Sequence, residues 1–219
     1  MKLRITILCS SETHPINQYL FDWTSKNGTE NEISIARKKA ELQGGDILFL
    51  ISCNEILKQE DLDRYGKALV LHASDLPLGR GWSPHIWQIV EGATEITMSL
   101  LEAAEKVDRG DIWNKLKVPV PRGALWNEIN HALFEAELQL MDFAVNAYHT
   151  VRPKPQSADI TATYYPKRTP AASKLDPSKS IEEQFDLIRV CDPERFPAFF
   201  ELHGHRYVIR LERRDEATD

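Results

Sequence analysis

Residues 67–92 read KALVLHASDLPLGRGWSPHIWQIVEG, and the change of character along this stretch decides the fold. The run Lys67 to His72 has no polar alternation, as expected of a strand covered on both faces. A loop bearing glycine and proline follows. Ser83 can cap a helix that has Pro84 at its first position and Gly92 at its stop, which predicts a helix over Pro84 to Glu91. Upstream, GDILFLIS (Gly45 to Ser52) is the most uniformly apolar strand of the chain. Buried strands separated by helices predict an α/β fold, a three-layer, Rossmann-like, open and mostly parallel sheet.

Working outward, Lys2 to Cys9 alternates as a strand, and Ser10 to Pro15 forms a loop that opens a helix through Trp23. CNEILKQEDLDRYG, from Cys53, reads as helical. EITMSLLEA is a strand, EKVDRGD a turn and IWNKLKVPV another strand. Leu125, Ile129, Leu133, Leu140, Phe143 and Ala147 line one face of a long helix from Ala124 to about Tyr148. Prolines at 153, 155, 166, 170 and 177 then exclude a long helix. Residues 1–152 therefore read as the main domain and 153–179 as a connector winding over the surface. Residues 180–219 read as a small subdomain with a capped helix (Ser180 to Val190) and a hairpin turning at His203-Gly204. That piece has too little core to fold alone and should pack on the first domain.

The 219 residues carry a formal net charge of −6, which disfavours extended binding to nucleic acid, since such binding rests on neutralising phosphates. No segment approaches the roughly 18 consecutive apolar residues of a membrane span. The N-terminal apolar run is short and alternates, so no signal peptide is expected and the reading is cytoplasmic. Cys9, Cys53 and Cys191 are widely spaced, without metal-ligand spacing, and read as packing thiols; no metal is expected.

In open parallel sheets, ligands bind beyond the carboxyl ends of the strands. Ser10-Ser11, Ser52-Cys53-Asn54 and His72 all fall there. Alone, His72 is equally a strand-terminal histidine bonded to a backbone carbonyl. In context, HASDLP (His72, Ser74, Leu76, Pro77), the glycines 79 and 81, the helix ending at Gly92 and the VDRGD turn (Asp108, Gly110, Asp111) together resemble the 10-formyltetrahydrofolate-dependent formyltransferase superfamily. The connector and the hairpin are similar to those of its sugar-nucleotide and tRNA members. HASDLPLGRGWSPHIWQ is most similar to the branch acting on nucleotide-linked 4-amino-sugars, including pseudaminic-acid-type sugars.

The resemblance implies transfer of a formyl group from 10-formyltetrahydrofolate, as cosubstrate, to a sugar amine through a tetrahedral intermediate. It places His72 and Asp108 at the centre, the imidazole donating to the developing oxyanion or shuttling the proton and the carboxylate holding the ring. The alternative for Asp108 is a turn residue in VDRGD, but the rest of the pattern favours catalysis. The family usually has an asparagine two residues before the histidine, where this chain has Val70; loss of one such oxyanion donor can lower the rate ~10²-fold or more. Asn54 is a candidate replacement, or else an ordinary N-cap. The resemblance sets the pterin against Ser52, Cys53, Asn54, Ile56 and Leu57 and against Ala104, Val107 and Asp108. Ser10, Ser11 and Asn17 suit a phosphate at a helix N-terminus, or simple capping. Ser74, Asp75, Arg80 and Trp82 face nucleotide or sugar in this reading, while Trp87 reads as core. Hydrolysis of formyltetrahydrofolate and a catalytically reduced nucleotide-sugar or folate binder are the alternatives. The family's hydrolases usually carry an N-terminal regulatory domain, whereas this chain starts on its first strand. A homodimer is expected through the hairpin edge.

Overall fold

The computed structural model describes residues 2–214. Its elements, in chain order, are β1 (Arg4–Leu8), α1 (Ile16–Asn27), β2 (Glu32–Ala36), β3 (Gly45–Leu50), α2 (Gln59–Leu62), β4 (Tyr65–His72), β5 (Arg80–Gly81), α3 (Pro84–Val90), β6 (Glu95–Glu102) and β7 (Ile112–Pro119), then α4 (Trp126–Asn146), β8 (Tyr164–Tyr165), α5 (Ile181–Arg189), β9 (Ala198–Leu202) and β10 (His205–Ile209). Six strands form one sheet in the order β2-β1-β3-β4-β6-β7. The first four are mutually parallel. β6 runs antiparallel to both its neighbours, with His72 opposite Ser99 and Leu69 opposite Glu102. The expected mostly parallel α/β architecture is what the chain adopts.

One face of the sheet packs on α1 and α4: Leu69, Ile47 and Phe49 share a core with Leu20, Trp23, Leu133 and Leu140. On the other face Leu48, Leu50 and Ala68 join Leu8, Leu42, Leu57 and Leu62. Side chains alternate along a strand, so Val70 and His72 point to the same face as Ala68.

Several boundaries differ from the sequence reading. β2 is a strand where none was predicted; it lies at the sheet edge with only Ala36 fully buried, so its polar alternation hid it. The segment from Cys53 is not helical until Gln59, because Ser52 takes a left-handed φ of 46° that turns the chain out of the sheet. Ser83 does not cap α3 through its side chain; it too is left-handed, at φ 46°, and Pro84 alone starts the helix. In contrast, Ser180 Oγ accepts the Glu183 N–H at 3.2 Å, closing a capping box on α5. The hairpin turns at His203-Gly204, both at positive φ, as a two-residue loop between β9 and β10 requires. Fully buried Arg189 docks α5 on the main domain, donating to Pro121 O and Ala124 O while paired with Asp186 at 2.6 Å.

Candidate active site

The carboxyl ends of β1, β3 and β4 are neighbours in the sheet, and the candidate residues collect above them. β4 ends on His72, 7% exposed. Its Nε2 lies 2.9 Å from Gly79 O, and because a carbonyl only accepts, Nε2 carries a proton. Its Nδ1 faces Asp108 Oδ1 at 3.5 Å. Asp108 reaches this point because the chain, leaving β6 level with Leu69, folds back over the sheet face before starting β7. The second carboxylate oxygen, Oδ2, accepts the Gly81 N–H at 2.9 Å. His72 thus stands between two loops that are themselves tied together. The strand-terminal reading and the paired reading of His72 both hold, one at each ring nitrogen.

The connector is part of this wall. β8 pairs in parallel with β5, Arg80 opposite Tyr164 and Gly81 opposite Tyr165. Gly81 sits at φ +100° under the strap, where a Cβ would meet Tyr165 O at 2.3 Å, so only glycine fits. Thr163 Oγ1 accepts the Gly79 N–H at 2.8 Å. Trp87, read from the sequence as core, instead stacks on Tyr165 and donates to Pro166 O, so its helix face grips the strap.

Cofactor-side candidates split by environment. Ile56 (82% exposed) and Val107 (67%) are large apolar side chains held in solvent at the rims of the two loops. Ala104 is exposed, whereas Leu57 is buried in the second core cluster and offers only backbone. Ser52 Oγ pairs with His14 Nε2 at 3.2 Å. Cys53 lies against Ser10 and the Glu55 carbonyl, and burial raises its thiol above the ordinary range. Asn54 is exposed and gives its backbone N–H to Ser10 Oγ at 3.0 Å. It caps no helix, since Lys58 precedes α2.

The acceptor-side candidates need correction. Asn17 is buried, with Nδ2 donating to the carbonyls of Ser11, Glu12 and His14 and Oδ1 accepting from Arg37, so it shapes the loop and has no polar atom left for a phosphate. Ser74 is 1% exposed; its carbonyl takes the Ser99 hydroxyl, linking β4 to β6, while its own Oγ is buried without a partner among the described residues. Asp75 is held by Lys115 at 2.6 Å. Ser11 pairs locally with Thr13. Arg80 is buried, donating to Tyr164 and Gln156, with Nε unpartnered among the described residues. Trp82 is 41% exposed, with Lys167 Nζ 4.8 Å from its ring centre.

Three residues beside the site escaped sequence reading. His14 accepts the Ile16 N–H at Nδ1, and burial, with Arg195 adding, pushes its ring down to about 4. His85 on α3 is likewise lowered to about 4, first by burial and then by the neighbouring Arg168 guanidinium. Gln156 donates to Asp108 O and Gly110 O. The two histidines stand in the Ser10 to Pro15 loop and in the quoted SPHIW segment, but nothing in their spacing marks them.

The sequence model described as formyl transferase matches residues 6–145. The chain belongs to the formyl transferase family. It is 27% identical over 173 residues to a methionyl-tRNA formyltransferase of Protochlamydia amoebophila, covering 77% of this chain and 54% of that protein. The chain therefore spans about half the length of the curated relatives it matches. Its fold is similar to methionyl-tRNA formyltransferase from Clostridium thermocellum (TM-score 0.80, 22% identity, 93% of this chain and 90% of that one). It is also similar to HypX from Aquifex aeolicus in complex with tetrahydrofolic acid (0.76, 21%, 94% and 37%). A sugar N-formyltransferase from a Shewanella species matches nearly end to end (0.73, 15%, 95% and 97%). Among the described residues no group of three or more His, Cys, Asp and Glu is placed to hold a metal, and no helix is long and apolar enough to cross a membrane.

Proposed function

We propose that this formyl transferase moves a formyl group from 10-formyltetrahydrofolate to the amine of a nucleotide-linked 4-amino-sugar. The observation that carries the reading is the His72–Asp108 pair, closed in by the Gly79–Gly81 loop at the carboxyl end of β4. The residues fit a flat, partly aromatic cosubstrate. Ile56 and Val107 offer apolar side chains that lose water when covered, and Val70 and Leu50 are half-buried neighbours on the sheet face below. When bound, the formylated folate supplies the formyl carbon as electrophile. His72 supplies a proton donor against the negative charge that develops on oxygen, and Asp108 orients the ring and takes up part of the positive charge. The neutral amine's proton passes through this pair to the folate nitrogen, whose bond to the formyl carbon breaks so that tetrahydrofolate leaves. The −6 net charge supports a small acceptor over a tRNA, near-complete fold matches exist to a sugar N-formyltransferase and to a methionyl-tRNA formyltransferase alike, and the curated methionyl-tRNA formyltransferase relatives support the tRNA.

Val70 favours a second reading. It shares the His72 face but has no hydrogen-bond donor in its side chain, and an exposed Asn54 is its only replacement candidate from the sequence. A site with a weakened oxyanion donor would hold its ligands without turning them over. A homodimer through the hairpin belongs to the same proposal, β10 being exposed from His205 to Val208.

The experiment is incubation with 10-formyltetrahydrofolate and, in parallel, UDP- and dTDP-linked 4-amino-4,6-dideoxy sugars and methionyl-tRNA, following tetrahydrofolate and product mass. Formylated sugar supports the proposal. Formylated tRNA replaces the acceptor, tetrahydrofolate alone means hydrolysis, and binding of both ligands without turnover means a holding protein.

A further inference from the structure

Gln156 lies in the connector, far in sequence from every residue of the candidate pair, yet its amide joins both loops around them. Nε2 donates to Asp108 O at 2.8 Å and Gly110 O at 3.0 Å, and Oε1 accepts from Arg80 Nη2 at 2.6 Å. The backbone it holds needs holding. Asp108 has φ 58°, a left-handed conformation that a non-glycine residue keeps only when its surroundings over-determine it. Gly110 is pressed against Glu102, where a Cβ would meet the carbonyl at 1.8 Å. On the other side, Arg80 leads directly into Gly81, whose N–H bonds Asp108 Oδ2. The contacts close a ring from Gln156 through Arg80, Gly81 and Asp108 back to Gln156. His72 is fixed inside it, between Gly79 O and Asp108 Oδ1.

We propose that Gln156 is a positioning residue for the His72–Asp108 pair: it sets where the Asp108 carboxylate lies by holding the Asp108 backbone and the Arg80–Gly81 strand in one register. The inference rests on the proposed transfer reaction for its kinetic consequence, but not for its structural one. It makes the connector a component of the active centre, not a tether. Gln156→Met keeps the length of the side chain while leaving Asp108 O, Gly110 O and Arg80 Nη2 without their partner. Gln156→Glu keeps the shape and the Arg80 contact but sets a carboxylate against two carbonyl oxygens.

The first arm is backbone hydrogen exchange on the ligand-free protein. In both variants the Gly81 amide exchanges about tenfold faster or more, while the amides of β1, β3 and β4 keep their protection. The second arm is kinetics with whichever acceptor the wild type formylates. Each variant loses about tenfold or more in kcat with both KM values within about twofold, and in an Asp108→Asn background the Gln156 change adds nothing, as expected of groups acting through one another. Unchanged Gly81 exchange in both variants, a loss of protection spread evenly over the sheet, or losses that multiply with Asp108→Asn would each overturn the proposal. A wild type that formylates no acceptor sinks the functional reading, and the exchange arm then decides the positioning alone.

Discussion

Glu137 on α4 offers the sharpest quantitative test of the structure. Its Oε2 is shut from water with no partner among the described residues, and burial raises the carboxyl from 4.5 to about 8. Between those two values the folded chain binds a proton that the unfolded chain has released, so stability falls as pH rises through that window. At about 1.4 kcal/mol per pH unit, the span from 4.5 to about 8 gives an upper figure of roughly 4–5 kcal/mol lost at pH 8. Water entry and side-chain relaxation reduce this to an expected ~2 kcal/mol or more. Glu137→Gln keeps the shape and removes the titration. Urea unfolding of both proteins at pH 5, 6.5 and 8 should show near-equal stabilities at pH 5 and a variant about 2 kcal/mol or more ahead at pH 8. A difference that stays flat across these pH values would refute the assignment of Glu137 as a buried neutral acid.

His14 and His85 make the opposite demand. Both titrate at about 4 in the fold against 6.5 when solvated. The unfolded chain therefore binds more protons between those values, and stability present above about 6.5 is lost as pH falls toward 4, by ~1–3 kcal/mol per ring, measurable by thermal melts and reduced in His85→Gln. Gly81→Ala forces a Cβ to 2.3 Å from Tyr165 O at a φ of +100°, so it should destabilise by ~2–4 kcal/mol and lower activity by detaching the strap; a melt and a turnover assay near wild type would contradict this. Arg189→Ala leaves Pro121 O and Ala124 O without their donor and strands the Asp186 charge, an expected loss of ~3 kcal/mol in urea unfolding.

The central sheet was legible because β3 and β4 are covered on both faces and therefore read as uninterrupted apolar runs. β2 was not, because an edge strand with polar side chains has no such signature. The direction of β6 is absent from its own sequence; it follows from how the loop and short α3 after His72 return the chain. Residues 53–58 carry Ile56 and Leu57 at spacings that also suit a helix, but the left-handed Ser52 sends one into solvent and the other into the core.

At the site, His72 and Asp108 were legible as a pair through the resemblance, and their 3.5 Å approach is found. The roles of Asn17 and Asp75 were not, because only the fold shows that their polar atoms serve backbone carbonyls, Arg37 and Lys115. Gln156 and Thr163 were invisible: single polar residues in a proline-rich connector have no periodicity, and their importance comes wholly from where β8 docks on β5.

The most direct test of the account is formyl transfer from 10-formyltetrahydrofolate to the nucleotide-linked 4-amino-sugars by wild type, His72→Asn and Asp108→Asn, read as product mass. Formylated sugar from the wild type, reduced by about 10²-fold or more in each variant, is the predicted result. Wild-type turnover left intact by either substitution would contradict the account, since the pair at the end of β4 would then not be where the chemistry occurs.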